Sequence, residues 1–173
     1  RVAAWDSVIK LISPLPQKEG LYLSAESAPD SYTNPVFLSD HPMVTGTYGM
    51  LPNSPMVDFN IMKKTFDYVW DHWQWTQLWG WDFPMTAMAA TRLGMPDKAI
   101  DALLMDAKAN TYLLNGHNYQ NQQLSLYLPG NGALLTSVAM MCAGWDGAPD
   151  TYAPGFPNNG QWKVKFEDLK RIP

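Results

Sequence analysis

Five of the eight tryptophans in this 173-residue chain fall within twelve positions: Trp70, Trp73, Trp75, Trp79 and Trp81. The run ends on Asp82, just ahead of a predicted helix. Aromatic faces beside a carboxylate at a helix mouth match a ligand that offers both C–H faces and hydroxyls, which describes a sugar. Filling a core is the other use for such a run, because aromatic side chains dominate buried area. Asp82 has two readings of the same kind. A carboxylate at a helix N-terminus is favoured in its charged form, so a low pKa is expected. That suits a base or an acceptor for hydroxyls, whereas a general acid needs a raised pKa. The plainer reading is an N-cap, which contributes ~1 kcal/mol.

A second polar group lies further along. The stretch from Asn115 to Gln123 is dense in amides, and amides carry donors and acceptors together, as hydroxyls do. His117, Asn118 and Gln120 are therefore candidates for sugar contact, against the alternative of a loop bonded to itself or to water. Asn131 reads as a helix cap, with Gly130 and Gly132 giving the backbone freedom. The three histidines, His41, His72 and His117, show no metal-ligand spacing, so no zinc site and no cofactor are expected. His72, beside Asp71, reads as a surface group or a helix-end cation. The single cysteine, Cys142, reads as a small buried hydrophobe.

These groups must be positioned by helices, which apolar spacing predicts in several windows. Val2, Trp5, Val8, Ile9 and Ile12 form one stripe, stopped by Pro14 and Pro16. A short strand is expected at Leu21–Leu23 and a helix from Pro42 to Met50. Asp58 caps a further helix with the stripe Phe59, Met62, Phe66, Val69 and Trp70. Pro84 opens the next, which ends before Gly94, and Pro96 opens another through Leu104. A last one starts after Asn131 and runs to Gly144. Beyond it, residues 149–160 are rich in Pro, Gly and Asn, and Trp162–Phe166 alternates as a half-exposed strand would. The expected division is a helical segment over 1–148, then a linker and β tail over 149–173.

Helices that alternate with long aromatic loops suggest antiparallel pairs closing into a ring. Helices 42–50, 84–94 and 132–143 would then be inner and mutually parallel, with 58–71 and 97–106 outside. All the polar groups gather at one end in that arrangement: Asp40 and His41, Trp81 and Asp82, and the turn Pro129-Gly130-Asn131-Gly132. Helix N-termini suit them, since they carry about half a positive charge and free N–H groups.

Composition narrows the classes. With 46% hydrophobic and 16% charged residues the chain is globular. A net charge of −4 without a basic stripe argues against nucleic acid or an anionic membrane surface as partner. No apolar stretch approaches the ~20 residues a membrane span needs. The chain opens at Arg1 without methionine or secretory signal, so an upstream portion is expected to have been removed or left out. The absence of nucleophile-elbow, phosphate-loop and dinucleotide patterns disfavours acyl, phosphoryl and hydride transfer.

Four segments, in order, resemble the C-terminal part of a six-hairpin glycoside hydrolase family, the inverting α-L-fucosidases and α-L-galactosidases. His41-Pro42-Met43-Val44-Thr45-Gly46-Thr47-Tyr48-Gly49-Met50-Leu51-Pro52 is similar to the family's His-Arg-His-Leu-Ser-His-Leu-Tyr-Gly-Leu-Tyr-Pro. Trp81-Asp82 through Arg92-Leu93-Gly94, then Lys98-Ala99 to Leu104, resembles its Gly-Trp-Ser, Ala-Arg-Leu-Gly and Arg-Ala elements. Leu128-Pro129-Gly130-Asn131-Gly132 with Thr136 to Met141 resembles Ile-Asp-Gly-Asn-Phe-Gly and the helix after it. Gly160 to Leu169 resembles the short strand that follows the family's barrel.

The resemblance implies an all-α fold: about half of an (α/α)6 toroid with a short C-terminal β tail, packed against an N-terminal half of the same toroid. It implies hydrolysis of glycosidic bonds by inversion, a carbohydrate substrate, and a periplasmic or secreted location. His41 is the transferred motif histidine, bonding a sugar hydroxyl or a catalytic carboxylate; a structural histidine is the alternative. The departures matter equally. The family's water-activating aspartate is replaced by Pro129, and two motif histidines are replaced by Met43 and Gly46. Its general-acid glutamate would lie before Arg1. Asp82 is the nearest substitute base, with Trp79, Trp81, His41, His117, Asn118, Gln120 and Asn131 binding substrate. The rivals are a carbohydrate-binding toroid without catalysis and a toroid polysaccharide lyase, against which counts the depth of Arg92, the one arginine near the mouth, in its helix.

Overall fold

The computed structural model describes residues 2–9 and 13–173 and has a mainly helical fold. In chain order its helices are α1 (Val2–Ile9), α2 (Pro35–Leu38), α3 (Met43–Met50), α4 (Phe59–His72), α5 (Asp82–Arg92), α6 (Pro96–Leu103) and α7 (Leu128–Ala143). Two small antiparallel hairpins accompany them: β1 (Gln17–Lys18) with β2 (Leu21–Tyr22), and β3 (Thr111–Tyr112) with β4 (Asn118–Tyr119).

The centre is α5, in which all eleven residues are buried. Its small side chains, Ala87, Ala89 and Ala90, let neighbours approach closely, and α3 uses this most. An added Cβ on Gly49 would stand 2.5 Å from the backbone nitrogen of Ala89, and one on Gly46 would collide with the Met85 side chain. The sequence Gly46-Thr47-Tyr48-Gly49 is thus a notch that seats α3 on α5. Full burial of side chains such as Phe83 and Met85 contributes about 1.5–3 kcal/mol each.

The helix directions follow from which ends meet. His41 before α3 touches Asp82 at the start of α5, and Gly49 near the end of α3 meets Ala89 and Arg92 near the end of α5. These two helices are therefore parallel. Tyr127 ahead of α7 packs on Trp79 ahead of α5, and Met140 late in α7 clusters with Met88, so α7 is parallel as well. Helix α4 runs the other way: Trp73 at its C-terminal end donates its indole N–H to the Asp40 carbonyl. Helix α6 reverses after Gly94, whose φ of +69° ends α5 in the left-handed region glycine tolerates. Three parallel helices with two antiparallel ones, α4 and α6, make up the body.

Most expected elements are present, with shifted ends. Asp58 does cap α4, accepting from the Asn60 and Ile61 N–H groups. Phe59, placed on its apolar stripe, instead faces solvent, while Met62, Phe66 and Val69 are buried. Helix α7 begins at Leu128, not after Asn131, because Pro129 fits a first helical turn that needs no N–H from it. At the N-terminus, Val2, Trp5 and Val8 of α1 are exposed, and Ile12 lies outside the described residues.

The expected β tail is corrected. Residues Trp162–Phe166 form no strand, since no neighbouring strand supplies a partner for their alternating pattern. The tail instead lies on the helices: Gly155 sits against Met141, Phe156 reaches the core, and Ile172 forms a parallel bridge with Trp145.

Candidate functional site

The start of α5 is where the polar residues meet. Asp82 is completely buried at the first turn, and both of its carboxyl oxygens lie 2.9 Å from His41 Nδ1. The backbone N–H of Trp79 donates to Asp82 Oδ2 at 2.8 Å. Trp81 completes the cluster, with its indole N–H donating to His41 Nδ1 at 3.0 Å. His41 Nδ1 thus faces two partners, the Asp82 carboxyl and the Trp81 indole N–H, and ties the residue before α3 to the start of α5.

Burial pushes the Asp82 carboxyl above the usual carboxylate range, outweighing the Trp79 N–H and His41, which pull it down; nearby Asp40 adds to the rise. This overturns the expected low pKa. The helix terminus does favour the anion, but withdrawal from water costs more. Asp82 is also not the N-cap. Trp81 holds that position, and the Asp82 side chain folds back onto the loop it leaves.

His41 carries the site to the surface, its side chain being 28% exposed. Its ring meets Trp81 edge-on at 5.1 Å and Trp79 at 6.0 Å between centroids. Trp79 is 42% exposed and packs on Tyr127 at 5.5 Å, so an aromatic wall borders the imidazole. Asp40, exposed, accepts the His41 backbone N–H at 2.8 Å. A recess of about 320 Å³ is lined by Asp40, His41, Ser24, Ser27, Phe37 and Met43, among others.

The tryptophan run divides between the two uses read from the sequence. Trp73 is core, Trp70 and Trp75 are half-buried against Phe66 and Phe83, and Trp79 and Trp81 border His41. Alternation within a tight turn sends neighbours to opposite sides, and the sequence could not say which.

The amide loop is corrected in role. Asn118 is fully buried, with its NH₂ donating to the Ala109 and Thr111 carbonyls and its Oδ1 wedged between Gly80 and Gly130. A side chain at either glycine would strike it. Gln120 Oε1 accepts the Gly80 N–H at 2.8 Å, fixing the turn that presents Trp79 and Trp81. Asn131 does not cap α7; it accepts from the Asn118 N–H and donates to the Gly116 carbonyl, tying the β3–β4 hairpin to the helix. These amides are spent on backbone, which leaves them as the frame of the site. His117 is half-buried in that hairpin, and no described ring contact joins it to His41 or the tryptophans.

Arg92 lies at the opposite end of α5, buried, donating to the Gly49 carbonyl, to Asn53 and to the Pro173 carbonyl. His72 is exposed and stacks on Tyr68, and Cys142 is buried with its thiol pushed up by that burial. Sequence reasoning put Asp40 at the mouth without a role and passed over Tyr127. Both adjoin helix starts, and that is the signal that finds them. No family model, curated protein or solved structure matches this chain. No helix among the described residues is long and apolar enough to cross a membrane.

Proposed function

We propose that this chain forms the substrate-binding part of a glycoside hydrolase site, on about half of an (α/α)6 toroid whose other half supplies the general acid. One observation carries the reading: the residues before α3, α5 and α7 meet in a chain of ring contacts, His41 with Trp81 and Trp79 and Trp79 with Tyr127, beside a recess that Asp40 and His41 line, and the partly exposed imidazole is held by the fully buried Asp82. Trp79 offers the apolar face on which a sugar ring stacks. His41 Nε2 bonds a ring hydroxyl, and Asp40 accepts from one. Asp82 touches no substrate and works through His41, setting its orientation. The toroid is supported by the alternation of parallel inner helices with antiparallel α4 and α6. Apolar side chains left open on α7, such as Leu135 and Val138, suit a further helical layer there.

Carbohydrate binding without turnover is the second reading, favoured by the burial of Asp82, which leaves Asp40 as the exposed carboxylate in the recess. A lyase lacks support, because Arg92 is far from this mouth and already bonded.

The test offers the intact protein a panel of aryl glycosides and arrayed oligosaccharides. Turnover is expected, and Trp79→Ala should weaken saccharide affinity about tenfold, the worth of one stacking contact. Binding without any turnover selects the second reading, and an array on which no saccharide binds removes both.

A further inference from the structure

The recess at His41 does not end there. It shares Ser24, Ala25 and Met43 with a second cavity of about 730 Å³ that runs along the outer flank of α3. Asp40, His41, Ser24 and Ser27 give the first part its polar groups beside Ala28 and Phe37, while the second carries the larger apolar side chains Met43, Tyr48, Leu51, Met56, Val57 and Met62 beside Glu26, Thr47 and Ser54. Its size falls within the ~300–1,000 Å³ of small-molecule sites, which are mostly apolar with a few convergent polar groups. The methionines suit it as well, being unbranched and adaptable to irregular apolar shapes.

Charge then narrows the occupant. No lysine or arginine is among the described residues lining either part, and the charged ones are Asp40 and Glu26. A carboxylate or phosphate head would face like charge without a compensating cation. A neutral head rich in hydroxyls finds the acceptors and donors of Asp40, His41, Ser24 and Ser27.

We infer that the joined cleft binds a neutral amphiphile, a glycoside with an alkyl or aryl aglycone, its sugar at His41 and Asp40 and its apolar tail along α3 between Met43 and Met56. This rests on the saccharide reading and adds to it the nature of the group attached to the sugar. Burying each methylene of such a tail is worth about a fourfold gain in affinity.

Calorimetric titration of the intact protein with methyl, hexyl and octyl glucosides, below their micelle concentrations, tests it, beside octanoate and octyl phosphate. Affinity should rise at least about tenfold from methyl to octyl, with octanoate and octyl phosphate at least about tenfold weaker than octyl glucoside. Thr47→Trp, on the exposed face of α3 that lines the cavity, should flatten the dependence on chain length; a second variant, Met56→Glu, should do the same if the first is misfolded by circular dichroism. Equal affinity across the three glucosides overturns the inference while leaving the saccharide reading in place. Binding of octanoate as tight as that of octyl glucoside overturns it too, since the head would then be unread. If the octyl chain gains affinity only through micelles, seen as loss of the effect on dilution, the inference also fails.

Discussion

The two ends of α5 each bury an ionisable side chain, and they use it differently. Asp82 at the N-terminus and Arg92 at the C-terminus each match the helix dipole in sign when ionised. Arg92 is bonded to the carbonyls of Gly49 and Pro173 and to Asn53, so its donors end in backbone and in a neighbouring loop. Burial lowers its pKa, with Tyr48 and Asp146 opposing, yet the guanidinium stays charged at any ordinary pH. Asp82 instead ends in His41, whose ring reaches solvent. A buried ionisable group closed upon backbone is a staple, whereas one that passes its hydrogen bond to a partly exposed imidazole can act on something outside. The helix and its burial are common to both. The partner makes the difference.

Three substitutions test that contrast, in falling order of effect on stability. Arg92→Met should cost about 3 kcal/mol, because it leaves the Gly49 and Pro173 carbonyls and the Asn53 amide short of a donor. Urea unfolding measures it, and saccharide affinity of the folded fraction should not change. A loss under about 1 kcal/mol would show that Arg92 is not a staple.

His41→Ala should cost about 2 kcal/mol, because it leaves the buried Asp82 carboxyl and the Trp81 indole N–H without this partner, but should abolish saccharide binding measured by tryptophan fluorescence. Retained binding would reduce His41 to a structural role and make the two ends alike.

Asp82→Asn should change stability least near neutral pH, since the asparagine has the same shape and keeps a polar partner for His41. Its signature is in the pH dependence. A carboxyl whose pKa is higher in the folded state than in the unfolded chain binds its proton more tightly when folded. It therefore stabilises fully below the unfolded value near pH 4, and that stabilisation is lost as pH rises through the raised folded value. The stability of the native protein relative to Asp82→Asn should accordingly fall with rising pH across that window and level off above it. A difference that grows with pH would mean that the native carboxyl is ionised and paired to an imidazolium, with Trp81 displaced from Nδ1.

How much was legible beforehand depends on the range of the interaction. Asp58 capping α4, Pro96 opening α6 and Gly94 closing α5 are decided within four residues, and all three stand as read. The start of α7 was missed by a turn because Pro129-Gly130-Asn131-Gly132 carries both loop and helix-start character. The tail pattern at Trp162–Phe166 is a real alternation, but a strand needs a partner, and none lies alongside. The gathering of His41, Trp81 and Asp82 at one mouth was legible from helix starts alone. The raised pKa of Asp82 was not, because it turns on the depth to which α3 and α7 bury the start of α5.

From its letters alone this chain determined which segments are helical, the cap of α4, the stop of α5 and the start of α6, and that its aromatic and polar groups cluster at helix starts. These follow from backbone geometry and short-range periodicity. Tertiary packing decided which tryptophans are core and which wall, turned the amides of Asn118, Gln120 and Asn131 inward as a frame, and withdrew Asp82 from water. Solvation is set by everything that surrounds a group, and residues far apart in the chain provide those surroundings.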